Sequence, residues 1–396
     1  MRLTTNDHSL ENARFTLNRL LQLQHLSLKM ATLDNKSATA EISELITSTS
    51  ISKGEDVLKV RSVVLTGNGS YDLIKVIEWP LMTKCAEHEV RVTVEFCGVN
   101  FADVYHMKGN VLQWPVPYVL GLESAGKVTQ VGSAVRNLHV GDRVVCYCPN
   151  EAGMFRESVV VPSTHCFVIP GDICTKVACT LIANYLSAYF AFFSFGNLRS
   201  GQTVLIHSAA GGVGWAATQL AASVVGNVRV LGTASENKHH DIVTNGVTEA
   251  FTYENYSTHI LDAEVDIVID NIGGENVKKS VDLLKPFGRV ILTGVNCVVQ
   301  EDESKVAKAF ESIASSVVPM QELVMGNKSV CGLHLGTLLR DNPKTFHTAV
   351  EQIFSLCQQG LIEPRIHAVF PLSKASEAIK LLAERKNIGK VLLKVE

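Results

Sequence analysis

The sequence predicts a mixed α/β protein in which an irregular all-β module precedes, and is later rejoined by, a doubly wound parallel sheet covered by helices on both faces. Three observations carry that prediction. The hydrophobic period changes near residue 180 from two to an alternation of strand and helix, a glycine-rich turn joins an apolar strand to an apolar helix at residues 207–214, and charge almost vanishes across the same region. The 52 residues from Val177 to Val228 hold one charged side chain, Arg199, where the chain-wide 19% would place about ten. Such a stretch is either a membrane span or the buried centre of a fold around an uncharged ligand surface.

The start of the stretch, VACTLIANYLSAYFAFFSFGNL, has the length of a bilayer span. Thr180, Asn184, Tyr185, Ser187, Tyr189 and Ser194 interrupt it, and no Lys/Arg cluster flanks either end, so the core reading is favoured. At 46% hydrophobic and a net charge of −3, the 396 residues match neither a disordered chain nor a basic nucleic-acid binder. The ten cysteines, scattered from Cys85 to Cys357, are expected to be reduced thiols of a cytoplasmic protein.

Residues 1–58 are expected to be a disordered leader. They lack Trp, Tyr and Pro, and although Leu17, Leu20, Leu21 and Leu28 form an apolar stripe beside Arg14 and Arg19, Asp7 and Glu11 count against mitochondrial targeting by residues 1–30. The β module is expected over 59–182. In it Val90, Val92, Val94 and Phe96 alternate with Arg91, Thr93 and Glu95, and short runs follow at Gly126–Val131, Arg143–Tyr147 and Ser158–Val161. A dinucleotide-binding unit is expected over 183–336, with strands at Thr203–His207, Val228–Gly232, Ala250–Tyr253, Val265–Asp270, Arg289–Thr293 and Ser329–Leu333. Residues 337–396, read as helix, strand, helix and strand, are expected to return and close the β module.

The sharpest local signal is His207-Ser-Ala-Ala-Gly-Gly-Val-Gly214. A strand, this turn and a helix start present backbone N–H groups of Ala210, Gly211, Gly212, Val213 and Gly214 to an anionic pyrophosphate without any lysine. At the end of the second strand stand Gly232, Thr233, Ala234 and Ser235, then Lys238, where an NAD enzyme would place a carboxylate. Ser235 and Lys238 suit a 2′-phosphate, so NADPH is the expected cofactor. Lys238 keeps a second reading as a solvated helix-start lysine, since Glu236 lies close by. Asn271 and Gly273, and Gly294 and Asn296, follow the fourth and fifth strands, where loops face the ligand crevice. His207, His239 and His240 read as structural.

With these parts in this order the chain resembles the medium-chain dehydrogenase/reductase superfamily, which implies a GroES-like β module and a Rossmann unit. GVNFADVYHMKG (Gly98–Gly109), LGLESAGKVTQVG (Leu120–Gly132), VGDRVV (Val140–Val145), HSAAGGVG and GKVLL (Gly389–Leu393) look like its quinone oxidoreductase branch. GMFRESVVVPS, NYLSAYFAFFSFGNLRSG, GTASENKH, LLKPFGRV and NKSVCGLHLG resemble the homologues of vesicle amine transport protein one within it. The resemblance runs from about residue 60 to the C-terminus.

Zinc alcohol dehydrogenases of the same superfamily hold a catalytic metal with two cysteines and a histidine. Position by position, this chain has Asn100, Leu122 and Ala183 there, so no metal is expected. Hydride transfer then leaves an oxyanion needing a donor. The resemblance puts Asn100, Asp103 and Tyr105 at the mouth of the cleft near the nicotinamide, with Tyr105 as proton donor and Asn100 as the amide that orients the acceptor; the plainer reading of Tyr105 is a packing residue with a satisfied hydroxyl. It also implies cofactor contacts for Ser187, Tyr253, Asn387 and Lys390.

The expected function is zinc-independent, NADPH-dependent reduction of a small-molecule quinone or enone by a homodimer. The alternative is a membrane-associated NADPH-binding protein, peripheral on organelle membranes, that acts through lipid or partner contact. Its sequence correlate is the apolar stripe of AKAFESIASSVVPMQELVM between Val298 and Met325; the plainer reading of that stripe is domain packing or a dimer contact, and Glu301, Asp302, Glu303, Glu311 and Glu322 argue against binding to anionic lipid. Nothing in the sequence suggests nucleic-acid binding.

Overall fold

The computed structural model describes residues 57–109, 111, 114–150, 153–299, 303–315 and 318–396. The expected leader, apart from its last two residues, lies outside the described residues. The β module runs in chain order through β1 (Val57–Leu65), β2 (Ile74–Met82), β3 (Glu89–Val99), α1 (Phe101–Lys108), β4 (Tyr118–Val119), β5 (Glu123–Val131), β6 (Arg143–Tyr147), β7 (Ser158–Pro162) and β8 (Cys166–Val168). The expected alternation holds in β3 from Val90 to Val94, whose valines are buried. It then breaks, because two residues of β3 face one of β5 between Val94 and Phe96, and the bulge leaves Phe96 half-buried.

The second unit contains α2 (Thr175–Tyr189), β9 (Thr203–Ile206), α3 (Gly212–Gln219), β10 (Arg229–Thr233), β11 (Glu249–Phe251), β12 (Val265–Asp270), β13 (Leu284–Leu292) and β14 (Ser329–Gly332). These six strands form one parallel sheet in the order β11-β10-β9-β12-β13-β14. All six expected strands are present, and the order reverses between β9 and β12, which opens a crevice at their C-terminal ends. Val204, Leu205, Ile206, Val268 and Ile269 are at most 1% exposed, as a doubly covered sheet requires.

After a helix at Pro343–Gln358, the chain re-enters the β module as β15 (Ile366–Pro371) and β16 (Lys390–Lys394). β16 pairs antiparallel with β3, giving the sheet order β15-β16-β3-β5-β6-β8 with β7 also on β3, while β2-β1-β4 form a small separate sheet. The N- and C-terminal parts of the chain therefore share one sheet.

Helix α2 continues in wide, π-type turns to Gly196, so Thr175–Gly196 is long and apolar enough to cross a membrane, yet 67% of its apolar window is buried inside the fold. It packs against β3, β5, β6, α3 and the Pro343–Gln358 helix, and its apolar residues join both units into one core. The expected division between residues 182 and 183 falls in the middle of this helix. The stripe expected before Met325 forms two helices, Glu303–Ser315 and Met320–Gly326, rather than one.

Phe346 of the Pro343–Gln358 helix is fully buried, with its ring 5.9 Å from Tyr147, 5.8 Å from Phe167 and 6.0 Å from Phe190. Phe346→Ala is expected to cost about 3–5 kcal/mol in chemical denaturation, because it empties the junction of the β module, α2 and the returning segment.

Candidate functional site

The crevice is built around the turn that leaves β9. His207 is fully buried, its ring nitrogens 3.1 Å from Thr233 Oγ1 and 3.3 Å from Ser280 Oγ, and burial lowers its pKa, so the imidazole is a structural part of the strand end. Ser208 follows at φ +54° and turns the chain sharply. Its hydroxyl donates to Asn271 Oδ1 at 3.0 Å and accepts from the Tyr253 hydroxyl at 3.2 Å. Two of the expected cofactor residues are thus joined through a serine that sequence reasoning had noted only as a motif position.

Gly211 caps α3, and its own N–H bonds to Ser208 O at 2.8 Å. Gly212, Val213 and Gly214 are the first residues of the helix, where amides have no carbonyl one turn back and face outward. Side chains are excluded here by close approach. A Cβ on Gly212 would lie 2.2 Å from Asn184 Nδ2, and one on Gly214 would lie 2.3 Å from Ser208 O. The geometry is a row of backbone donors on a turn packed too closely against Asn184 and its own backbone to admit side chains at Gly212 and Gly214.

The returning segment docks on this cradle. Gly389 N–H bonds to Ala210 O at 2.8 Å, and the Asn387 side chain donates to Gly389 O at 2.7 Å. Beyond β10, Ser235 is exposed, while the Lys238 ammonium donates to the carbonyls of Arg385 at 2.5 Å and Asn387 at 2.8 Å, and its partial burial lowers its pKa. Gly273 N–H is held by Asp270 Oδ1 at 3.0 Å after β12. After β13, Asn296 N–H bonds to Asn271 O at 2.9 Å, so the loops of β12 and β13 are tied together.

Beneath the cleft lies a buried ion pair. Lys390 Nζ is 2.5 Å from Glu123 Oε1 and 2.6 Å from Asn100 Oδ1, with the Lys390 side chain 3% and that of Glu123 0% exposed. Asn100 Nδ2 donates to Glu123 Oε1 at 2.9 Å and Gly98 O at 3.1 Å, and Ala183 N–H donates to Glu123 Oε2 at 3.0 Å. The positions compared with zinc ligands, Asn100, Leu122 and Ala183, therefore converge on this pair, Leu122 as the chain neighbour of Glu123.

This corrects three expectations. Lys390 directs its ammonium into the ion pair rather than toward the nucleotide turn. Asn100 has its amide consumed there rather than free for an acceptor. Asp103 is fully buried and accepts from Asn100 N–H at 2.8 Å, three residues before it, which caps α1; burial pushes its pKa up to about 7. Ser187 donates back to Ala183 O at 2.7 Å on its own helix.

Tyr105 spans the cleft from α1. Its hydroxyl donates to Asn296 Oδ1 at 2.6 Å and accepts from Val295 N–H at 3.0 Å, and burial pushes its pKa up to about 12. Sequence reasoning missed Glu123, whose signal was a lone acid among small residues in a strand. Asn184 was read only as a polar break in an apolar stretch, not as a neighbour of the glycine turn.

Two family models match the chain, an alcohol dehydrogenase GroES-like domain over residues 86–171 and a zinc-binding dehydrogenase over residues 239–393. The synaptic vesicle membrane protein VAT-1 homolog of Mus musculus is 39% identical over 344 residues, covering 84% of this chain and 83% of that protein. The quinone oxidoreductase-like protein 2 homolog of Nematostella vectensis is 31% identical over 313 residues, covering 77% and 81%. Among solved structures, the human synaptic vesicle membrane protein VAT-1 homolog-like protein superposes with a TM-score of 0.73 at 32% identity, over 86% of this chain and 99% of that one. Escherichia coli quinone oxidoreductase complexed with NADPH shares the fold, with a TM-score of 0.72 at 24% identity over 85% and 99%.

Lys390→Met is expected to destabilise the protein by about 3–5 kcal/mol in urea, since it leaves the Glu123 carboxylate buried without its counter-charge. The double variant Glu123→Gln, Lys390→Met should recover most of that loss. Additive losses would show that the two side chains act independently.

Proposed function

Since the chain belongs to the medium-chain dehydrogenase/reductase superfamily, on its quinone oxidoreductase branch and close to the VAT-1 homologues, we propose that it is a cytoplasmic NADPH-dependent oxidoreductase that reduces a quinone or an α,β-unsaturated carbonyl without zinc. The observation that carries the reading is the cradle after β9. Its donors are backbone amides, the close approaches at Gly212 and Gly214 hold the turn tight against Asn184 and its own backbone, and the returning segment borders it through Gly389. An NADPH-complexed quinone oxidoreductase of the same fold supports the choice of ligand.

In this reading the amides of Gly212, Val213 and Gly214, with Ala210 and Gly211 shaping the turn, hold the pyrophosphate. Ser235 and Lys238 hold the 2′-phosphate; no carboxylate repels it between Gly232 and Ser235. Asn271, Gly273, Gly294 and Asn296 line the crevice on its β12 and β13 side, with Tyr253 and Ser187 at its walls. When bound, NADPH supplies the hydride. Tyr105 keeps its proton well above neutral pH and holds the oxygen side of the cleft as a hydrogen-bond donor, which requires its hydroxyl to exchange Asn296 for the acceptor. The zinc-free part is supported by the ion pair, which already engages the Asn100 amide and the Ala183 N–H, and by Leu122, whose side chain offers no ligand atom. Among the described residues no group of three His, Cys, Asp or Glu side chains is placed to hold a metal.

The test is a titration of cofactor fluorescence followed by turnover with a panel of quinones and enones. NADPH should bind more tightly than NADH and be consumed with at least one acceptor, and Gly212→Val should weaken binding by about tenfold or more. Equal affinity for the two cofactors, or no binding, would contradict the reading.

A second reading, contact with a membrane, is favoured by Met320, Val324 and Met325, which are 78%, 67% and 76% exposed on one short helix. Under it, the protein should sediment with liposomes and lose that association in the variant Val324→Asp, Met325→Asp. Dimerisation that buries this helix, seen as a halving of the mass of the same variant in light scattering, would assign the patch to a subunit contact instead.

A further inference from the structure

We propose that His207 is a positioning residue for the glycine turn: held as the neutral Nε2–H tautomer, it carries a one-way chain of hydrogen bonds from the Ser208 amide to the Asp270 carboxylate. Its effect on dinucleotide affinity rests on the NADPH reading above, whereas the direction of the chain does not.

The chain runs through Thr233, His207, Ser280 and Asp270, and none of these four side chains has surface exposed to water. Each must therefore find its partners inside the protein. Asp270, at the end of β12, fixes the direction. Its Oδ1 accepts from Ile272 N–H at 2.8 Å and Gly273 N–H at 3.0 Å, and its Oδ2 accepts from Asn276 Nδ2 at 2.9 Å and Ser280 Oγ at 3.0 Å. The Ser280 hydroxyl has one proton and gives it to Asp270. Toward His207 Nε2, 3.3 Å away, it can only accept, so Nε2 carries the hydrogen. Burial lowers the His207 pKa and keeps the ring neutral, which leaves a bare lone pair on Nδ1. Thr233 Oγ1 lies 3.1 Å from that nitrogen and donates to it. The same oxygen then accepts from Ser208 N–H at 3.3 Å.

The opposite tautomer does not satisfy these groups. With hydrogen on Nδ1, Nε2 would need the Ser280 proton and Asp270 would lose a donor. The Thr233 proton would then have no acceptor among the described residues.

The end of the chain that bears on the site is Ser208. It stands at φ +54°, a conformation that a residue with a side chain keeps only when its surroundings hold it. Its carbonyl accepts from Gly211 N–H at 2.8 Å, so the place of Ser208 sets the register of the amides that open α3. Strands β10, β9 and β12 are thus tied at one edge of the sheet by side chains that present no surface to the crevice.

The test uses the full chain with isotopically labelled imidazole nitrogens, the His207 signals being assigned through its own backbone by nuclear magnetic resonance. Near neutral pH the ring should carry hydrogen on Nε2 alone, a result that needs no variant to fold. Thr233→Val should speed solvent exchange of the Ser208 amide by about tenfold, while Thr233→Ser, which keeps the hydroxyl, stays close to wild type. Thr233→Val should also weaken NADPH and NADH by a similar factor of about five, as loss of one hydrogen-bond link requires, and Thr233→Ser should restore the affinity. Thermal unfolding checks that both variants fold. Hydrogen on Nδ1, a doubly protonated ring, or a Ser208 amide whose exchange is indifferent to Thr233→Val would overturn the proposal, as would unchanged dinucleotide affinity in that variant. The expected tautomer and exchange in a protein that binds neither dinucleotide would uphold the chain and overturn the cofactor reading.

Discussion

The structure depends on one buried ion pair. Glu123 enters from β5, Lys390 from β16 and Asn100 from the end of β3, and the second carboxylate oxygen takes the Ala183 amide of α2. Four segments that are far apart in sequence are held at one point. Burying two charges is costly unless their remaining hydrogen-bonding capacity is met, and Asn100 and Ala183 meet it for Glu123. The pair therefore favours one arrangement of the returning segment over sliding alternatives. Asn100 and Ala183, two of the positions that the sequence comparison set against zinc ligands, both bond to it.

The glycine turn after β9, the proposed nucleotide site, is tied to that point. Lys390 is anchored in the pair, and its neighbour Gly389 bonds to Ala210 in the turn after β9. A change at the cleft floor is thereby one peptide away from the glycine turn. The same segment carries Asn387 and Arg385, whose carbonyls hold Lys238. On the far side, Tyr105 bonds to Asn296 across the cleft, so the β module grips the crevice from both ends.

Much of this was legible in the sequence. The six parallel strands were marked by apolar runs bounded by glycine and turn residues, and the cradle by glycines between a strand and a helix. The neutrality of Val177–Val228 came from the same cause, a doubly covered core around a turn built of glycines rather than lysines. What was not legible was direction. A lysine at the head of a strand can point toward a nucleotide or into the module, and only the pairing of β16 with β3 decides it for Lys390. Asn100 and Asp103 stand at the spacing of a helix cap, yet beside a chemically suggestive tyrosine the same spacing reads as a catalytic cluster. Glu123 was hidden for the related reason that its partner lies 267 residues away.

The central claim is that this crevice seats NADPH on the amides that open α3. It is tested most directly by an experimental structure of the complex. The account predicts pyrophosphate oxygens within hydrogen-bond distance of the Gly212, Val213 and Gly214 amides, with the Lys390–Glu123 pair intact beneath. A nucleotide bound elsewhere, or one whose phosphates contact Lys390 after it has left Glu123, would contradict it.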